Sequence, residues 1–170
     1  GSAYAPEGGK NLAPRQHARK MKTGKETEEQ IYRAVREYRE IYPEKAVLYS
    51  TNSAPRFGWA TFMAGGSLAP IPKIDITGFY KHLANTKVFQ NQNYKSDYWS
   101  LENAGNAYLY YLVKTNVITA DLSNYKGIFD AFWIDVNTGE VISKTTIKGQ
   151  RNHKLTNPTN KKVAVYIVKK

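Results

Sequence analysis

The chain has 170 residues, of which 41% are hydrophobic and 23% charged, a balance typical of a folded globular protein rather than a disordered one. The absence of cysteine excludes disulfides and thiolate metal sites, and no apolar run approaches the roughly 18 residues that span a bilayer. The net charge of +11 indicates a surface that attracts polyanions: nucleic acid, acidic or sulfated polysaccharide, or anionic lipid. A solvated lysine-rich face that aids solubility explains the same charge equally well.

Residues 1–26 are predicted to be a tag scar and an irregular arm. Gly1-Ser2 is typical of a cloning remnant, and residues 3–26 mix proline, glycine and charges without a sustained period. Glu7 in "YAPEGGKN" is a candidate catalytic carboxylate, and His17 in "RQHARK" is a candidate binding residue. For both residues the alternative is an exposed loop side chain. The three histidines share no ligand spacing, so we expect no metal and no cofactor.

Residues 27–87 are predicted to form an α/β segment. Thr27 and Gln30 have the spacing of a capping box, and a helical apolar period follows until Pro43. The apolar run "KAVLYS" (45–50) is typical of a buried parallel strand.

Two shorter helices are predicted after this run. One covers residues 56–64, where Phe57, Ala60, Thr61 and Ala64 share a face, and it ends at the paired glycines of "MAGGSLAPIP". The other lies in residues 77–86, with three apolar side chains expected to point inward: Phe79, Tyr80 and Leu83.

Residues 88–170 are predicted to form an all-β sandwich or jelly roll. Short runs of β-branched and aromatic residues recur between polar turns, as in "GNAYLYYLVK", "NVITADL" and "KKVAVYIVKK". The stretch "FDAFWIDVNTGEVIS" (129–143) predicts a β-hairpin whose glycine has φ > 0. We place the boundary with the α/β segment near residues 87–95.

Two stretches together resemble a known family. "RFGWATFMAGGSLAPIP" (56–72) is similar to the end of the catalytic (β/α)₈ barrel in Bacteroidetes-type glycoside hydrolases related to the apiosidase-like, DUF4038 enzymes. "AYLYYLVKTNVITADLSNYKGIFDAFWIDVNTGEV" (107–141) resembles the accessory β-sandwich of the same enzymes, sometimes labelled a putative collagen-binding domain. The resemblance implies an α+β chain with the last strands and helices of a barrel followed by a small antiparallel sandwich.

In this resemblance "KAVLYS" corresponds to barrel strand seven, "MAGGSLAPIP" to strand eight and "TGFYKHLANT" to the last helix. Retaining glycosidases of this kind place a glutamate nucleophile at the end of strand seven, opposite an acid/base from an earlier strand. This sequence has Ser50, Thr51 and Asn52 there, and strands one to six are absent from it. We therefore expect no complete two-carboxylate site within these 170 residues.

The resemblance implies carbohydrate as the partner. Arg56 and Trp59 follow strand seven, where a guanidinium can bind hydroxyls or carboxylates and an indole can stack on a sugar ring, and Asn52 lies beside them. The alternative for Trp59 is a core position in its helix. Trp99 is the candidate for a sugar platform on the sandwich, whereas Trp133 is expected in its core.

Three functions are compatible with the sequence. The first is the C-terminal portion of a polysaccharide-degrading glycoside hydrolase, in the periplasm or outside the cell, acting on an acidic or sulfated glycan together with the missing N-terminal barrel part. The second is a non-catalytic carbohydrate-binding or interaction module. The third is a basic protein that binds single-stranded nucleic acid. It ranks last, since lysines cluster at turns and the C-terminus and no nucleic-acid motif occurs. No membrane partner is expected.

Overall fold

The computed structural model describes residues 26–50, 54–88 and 93–170, and it confirms the α+β class expected from the sequence. The chain divides into two compact units, Gly1–Ile71 and Pro72–Lys170. No helix in the described ranges is long and apolar enough to cross a bilayer.

The first unit contains helix α1 (Glu28–Ile41), a 3₁₀ turn (Ala54–Phe57) and helix α2 (Gly58–Met63). The predicted capping box is present at the start of α1. The Thr27 hydroxyl accepts from the Gln30 N–H at 3.3 Å, and the Gln30 side-chain oxygen accepts from the Thr27 N–H at 3.1 Å. One face of α1 is buried and includes Ile31 and Val35. Local sequence signals therefore predicted this helix correctly, including its end before Pro43.

The paired glycines of the "AGG" motif end helix α2, as the sequence predicted. The Gly65 N–H donates to the carbonyl of Phe62 at 3.0 Å, and the Gly66 N–H donates to that of Thr61 at 2.8 Å. This is a Schellman motif, in which Gly65 takes the left-handed conformation with φ of 82°. A Cβ at position 66 would lie 2.6 Å from Thr61 Cγ2 and 3.0 Å from Val35 Cγ1. The small residues thus let α1 and the end of α2 approach closely.

The predicted buried strand "KAVLYS" is wrong within the described residues. Residues 46–50 have no regular secondary structure and enter no strand ladder, and Leu48 is 60% exposed. Their backbone shares one described hydrogen bond with the segment after α2, in which the Ser67 N–H donates to the Val47 carbonyl at 2.7 Å. A parallel strand is buried only when strands flank both of its edges and helices cover both faces. The described residues supply a neighbour at one edge only.

The second unit contains a short helix and eight strands. Helix α3 spans Phe79–Leu83. The strands are β1 (Lys87–Val88), β2 (Tyr98–Asn103), β3 (Ala107–Leu112), β4 (Val117–Asp121), β5 (Ile128–Asp135), β6 (Val141–Lys148), β7 (Asn152–Thr156) and β8 (Val163–Lys169). Strand β7 was not predicted from the sequence, because its segment "NHKLT" is polar and largely exposed.

The strands form two antiparallel sheets. Six of them are ordered β1-β2-β3-β8-β5-β6, and β4 pairs with β7 in a separate two-stranded sheet. Residues from both sheets share one hydrophobic core, which contains Tyr110, Ile118, Leu122, Phe129, Trp133 and Val165 among others. The small antiparallel sandwich is therefore confirmed, and so is the core position of Trp133, which is 4% exposed.

The predicted hairpin joins β5 to β6. Gly139 has φ of 79°, as expected, and its N–H donates to the Asp135 carbonyl at 2.8 Å. The Asp135 carboxylate accepts from the Asn137 N–H at 2.8 Å and from the Lys161 ammonium at 3.2 Å. Together these bonds hold the turn and connect it to the loop before β8.

Helix α3 covers part of the sheet face that is opposite to β4 and β7. The Phe79 ring packs edge-on against Tyr166 with centroids 5.0 Å apart, and Nδ1 of His82 lies 2.9 Å from the Tyr166 hydroxyl. Burial raises the pKa of Tyr166 to about 12. Phe79 and Leu83 point inward as predicted, but the expectation for Tyr80 is wrong. Tyr80 is 49% exposed, and its hydroxyl accepts from the Ile74 N–H at 3.2 Å.

Candidate functional site

Side chains from residues 46–50 and from the 3₁₀ turn form the candidate site of the first unit. Tyr49 lies near the end of residues 46–50, and Arg56 and Phe57 lie in the 3₁₀ turn. The rings of Tyr49 and Phe57 meet edge-on with centroids 6.4 Å apart, and the guanidinium carbon of Arg56 is 5.3 Å from the Phe57 ring centroid. Phe57 is buried and Arg56 is exposed, so the guanidinium rests on an aromatic support and remains accessible to a polar ligand.

Trp59 occupies a different position from Arg56, although the two are close in sequence. The indole is 7% exposed and packs edge-on against Phe62 at 6.2 Å between centroids. Its neighbours Ala60 and Met63 in α2 are buried as well. Most of its ring surface is thus covered by protein. The structure brings Tyr49, which the sequence argument did not select, against Phe57, the ring that also supports Arg56.

Three candidate residues lie outside the described part of the chain: Glu7, His17 and Asn52. Their assignments stay predictions.

Trp99 lies in the interior of the second unit. It is 0% exposed, its ring stacks on Tyr111 at 5.7 Å with an interplanar angle of 17°, and its indole N–H donates to the Tyr94 carbonyl at 3.2 Å. A sugar ring needs an open aromatic face for stacking. In this arrangement both the ring and its polar atom are engaged by the protein itself.

The described carboxylates that are buried in the sandwich are held by cations. The carboxylate of Asp130 contacts Lys144 at 2.9 Å and Lys170 at 3.3 Å, and it accepts from the Thr146 hydroxyl at 2.9 Å. Desolvation alone would raise the pKa of Asp130, but these three hydrogen bonds outweigh it and hold the pKa below its usual value. The Asn137 N–H and the Lys161 ammonium likewise lower the pKa of Asp135. Both groups stay ionised at neutral pH, which suits a structural ion pair and not a general acid.

Glu102 differs from these two residues. Partial burial on β2 raises the pKa of its carboxyl group. A raised pKa is the property that a general acid needs, but glycoside hydrolysis requires a second carboxylate on the other side of the bond. Among the described residues, no group of three or more histidine, aspartate or glutamate side chains could hold a metal ion.

Comparison with known proteins finds one family match and several solved structures of similar fold. The family described as "Domain of unknown function (DUF6298)" matches residues 1–86. A solved structure named "Glycoside hydrolase" is similar over 88% of this chain and 49% of its own, with 15% identity and a TM-score of 0.53. A glycoside hydrolase family 5 structure from Bacteroides vulgatus ATCC 8482 is similar over 91% of this chain and 48% of its own, with 12% identity and a TM-score of 0.52. No curated protein matches the sequence.

The chain spans about half the length of these two structures. At 15% and 12% identity the likeness establishes a common fold and nothing about activity. The chain thus has the fold of part of a glycoside hydrolase chain.

Proposed function

Because the chain belongs to the DUF6298 family and has the fold of about half of a glycoside hydrolase chain, we propose that it is the C-terminal portion of a glycan-degrading glycoside hydrolase. The fold likeness over about nine tenths of this chain is the observation that carries the proposal. Within the glycoside hydrolases, residues 56–72 and 107–141 favour a relationship to the apiosidase-like, DUF4038 enzymes. Such an enzyme acts in the periplasm or outside the cell.

The local geometry of the first unit supports this proposal. Helix α1, residues 46–50, helix α2 and the segment after it alternate helix with irregular chain, the order in which helices and strands alternate in a barrel. The Ser67 N–H donates to the Val47 carbonyl and so joins the segment after α2 to residues 46–50. The exposed Leu48 is an apolar side chain that a further strand or helix of a barrel would cover.

In this proposal residues 46–50 correspond to a barrel strand, and the site lies at their carboxyl end, where barrel enzymes keep their catalytic residues. The exposed guanidinium of Arg56 binds hydroxyl or carboxylate groups of the glycan, and Tyr49 supplies an aromatic wall. Asn52 lies in the intervening segment. The catalytic carboxylates come from the barrel strands that precede this chain. The net charge of +11 supports an acidic or sulfated glycan as the substrate.

The test is hydrolysis by the protein that the complete coding sequence specifies. We expect release of reducing ends from at least one acidic or sulfated polysaccharide in a panel that also contains neutral glycans. Arg56→Ala should lower kcat/KM by roughly 10- to 100-fold, since a charged hydrogen bond to substrate contributes about 1.5–3 kcal/mol. Lys45→Ala removes an exposed cation from the same unit and should leave kcat/KM within about twofold. Absence of hydrolysis across the panel would refute the proposed function, and equal effects of the two substitutions would refute the role of Arg56.

A further inference from the structure

The loop between β4 and β5 and the turn between β6 and β7 are joined at one end of the sandwich. The Leu122 N–H donates to the Arg151 carbonyl at 3.2 Å, and the Gln150 N–H donates to the Tyr125 carbonyl at 2.8 Å. The Gly149 N–H donates to the Gly127 carbonyl at 2.8 Å. Backbone hydrogen bonds between two loops fix their positions before any ligand binds. We call residues 122–127 and 149–151, with Lys148 and Lys169, the basic loop end.

The loops approach so closely that side chains are excluded between them. A Cβ at position 149 would lie 2.0 Å from the Tyr125 carbonyl oxygen, so only glycine fits there. The β2–β3 turn closes the same end, because a Cβ on Gly105 would lie 2.6 Å from Cδ1 of Tyr125. The Lys169 N–H donates to the Asn106 carbonyl at 2.8 Å. The end of the sandwich is therefore a packed surface built from three loops and strand β8.

Four exposed cations surround Gly127 on this surface. Lys126 precedes it in the chain, and Cε of Lys169 lies 3.0 Å from the position that a Cβ of Gly127 would occupy. Lys148 directly precedes Gly149, whose N–H donates to the Gly127 carbonyl. Arg151 lies in the same turn, just after Gln150. In the ranges that the structure describes, none of these four side chains forms an ion pair.

The carboxylates near this end do not neutralise the four cations. Asp121 lies just before the loop, and its carboxylate accepts from the hydroxyl and the N–H of Ser123, which lower its pKa. Asp130 is bound to Lys144 and Lys170. The charges of Asp121 and Glu102 both act on Tyr108, whose hydroxyl accepts from the Gly105 N–H in the β2–β3 turn. Four cations against these two carboxylates leave the surface positively charged, so its free energy falls when an anion binds.

From this arrangement we propose that the basic loop end binds the carboxylate or sulfate groups of an acidic polysaccharide. The inference rests on the proposed function for its glycan and assigns a binding site to the sandwich, apart from Arg56. Tyr125 is half-buried and can contact a sugar, and exposed amides of Asn106 and Gln150 lie beside the cations. Single-stranded nucleic acid is disfavoured as the ligand, because successive bases need several open aromatic rings and this end has one partly exposed ring, Tyr125, among its described residues.

The experiment measures binding of this 170-residue chain to immobilised polygalacturonate, chondroitin sulfate, neutral dextran and a single-stranded DNA of matched charge. One variant carries Lys126→Gln, Arg151→Gln and Lys169→Gln. The control loses the same charge at three exposed lysines elsewhere in the second unit, through Lys73→Gln, Lys81→Gln and Lys95→Gln. Circular dichroism and thermal unfolding establish that all three proteins are folded.

We expect binding to at least one acidic polysaccharide and none to dextran. A contact ion pair in water contributes roughly a factor of five to affinity, so the loop-end variant should bind about a hundredfold more weakly at low salt. Its slope of log affinity against log salt should fall by about two to three, while the control should change by less than about fivefold.

Three results would overturn the inference: no binding to either acidic polysaccharide, equal losses in the two variants, or tighter binding to the DNA than to the polysaccharides. Hydrolysis by the longer protein is measured separately, so the two proposals fail independently. Binding at the basic loop end without hydrolysis would refute the proposed function alone. Hydrolysis together with equal losses of polysaccharide affinity in the two variants would refute the loop-end site alone.

Discussion

Replacing Asp130 with asparagine should weaken the sandwich in a pH-dependent manner. The carboxylate joins three parts of the second unit, since it contacts Lys144 and Thr146 on β6 and the C-terminal Lys170. The two lysine side chains are about half exposed, 50% and 52%, so each ion pair contributes only about 0.5–1 kcal/mol. The hydroxyl bond adds about 1 kcal/mol, part of which an amide retains. Asp130→Asn should therefore lower the free energy of unfolding by about 1–2 kcal/mol at pH 7.

The sign of the pH dependence follows from the lowered pKa of Asp130 in the folded state. A carboxyl group whose pKa is lower in the folded than in the unfolded chain stabilises the protein at pH values above its pKa in the unfolded chain, about 3.9. This stabilisation is lost as the pH falls through the folded pKa. The difference between the wild type and Asp130→Asn should therefore be full at pH 7, shrink as the pH falls below about 4, and vanish once the pH lies well below the lowered pKa of the folded state.

Urea unfolding followed by near-UV circular dichroism at several pH values measures this difference. Asp75→Asn is the control, because Asp75 is an exposed carboxylate of the same unit, and its effect should stay within about 0.5 kcal/mol. A double-mutant cycle with Lys144→Gln should give a coupling of about 0.5–1 kcal/mol. Two results would refute the reasoning: an Asp130→Asn variant as stable as the wild type at pH 7, or a loss of stability that is the same at pH 7 and pH 2.

Three other substitutions test the packing and the local structure. Gly139→Ala should lower the free energy of unfolding, measured in urea, by about 2–4 kcal/mol, because φ is 79° and the new Cβ would lie 2.4 Å from the Lys73 carbonyl oxygen. A variant as stable as the wild type would contradict the turn geometry. The control Thr138→Ser keeps the hydroxyl that accepts from the Glu140 N–H and should be nearly neutral. Trp99→Ala should lower the free energy of unfolding by about 3–5 kcal/mol, since the ring is 0% exposed. A variant of unchanged stability that loses glycan affinity would instead favour a binding role for Trp99. Thr27→Ala should lower the free energy of unfolding by about 0.5–2 kcal/mol and reduce the helical signal in far-UV circular dichroism. Thr27→Ser keeps the hydroxyl and should retain the stability and the helical signal. Equal stability of the two variants would refute the capping bond.

Local features of the fold could be predicted because their causes lie within a few residues. The capping box needs only Thr27 and Gln30, and the β5–β6 turn needs the glycine of "NTGE". The core position expected for Trp133 is also confirmed. The polar strand β7 escaped prediction, because its pairing with β4 and not its own apolar content makes it a strand.

The binding roles assigned to residues of the first unit stay predictions, but the structure separates two of the candidates by their exposure. Arg56 and Trp59 were selected together from one helical segment, but helical spacing alone does not say which side chain is exposed. The structure exposes Arg56 and buries Trp59. Tyr49 was not selected as a candidate because it belongs to an apolar run that predicted a buried strand. Its position near the end of that run was the available signal.

By itself the sequence determined the helix cap, the hairpin turn and the excess of positive charge, since each depends on residue identity or on contacts between near neighbours. Only the tertiary structure decided where the charge collects. Strand β8 pairs between β3 and β5, and this antiparallel register brings Lys169 over Gly127, beside Lys126 and the β6–β7 turn. The tertiary structure likewise decided that "KAVLYS" is exposed, because the described residues do not cover it. Burial of a strand depends on its neighbours and not on its own apolar residues.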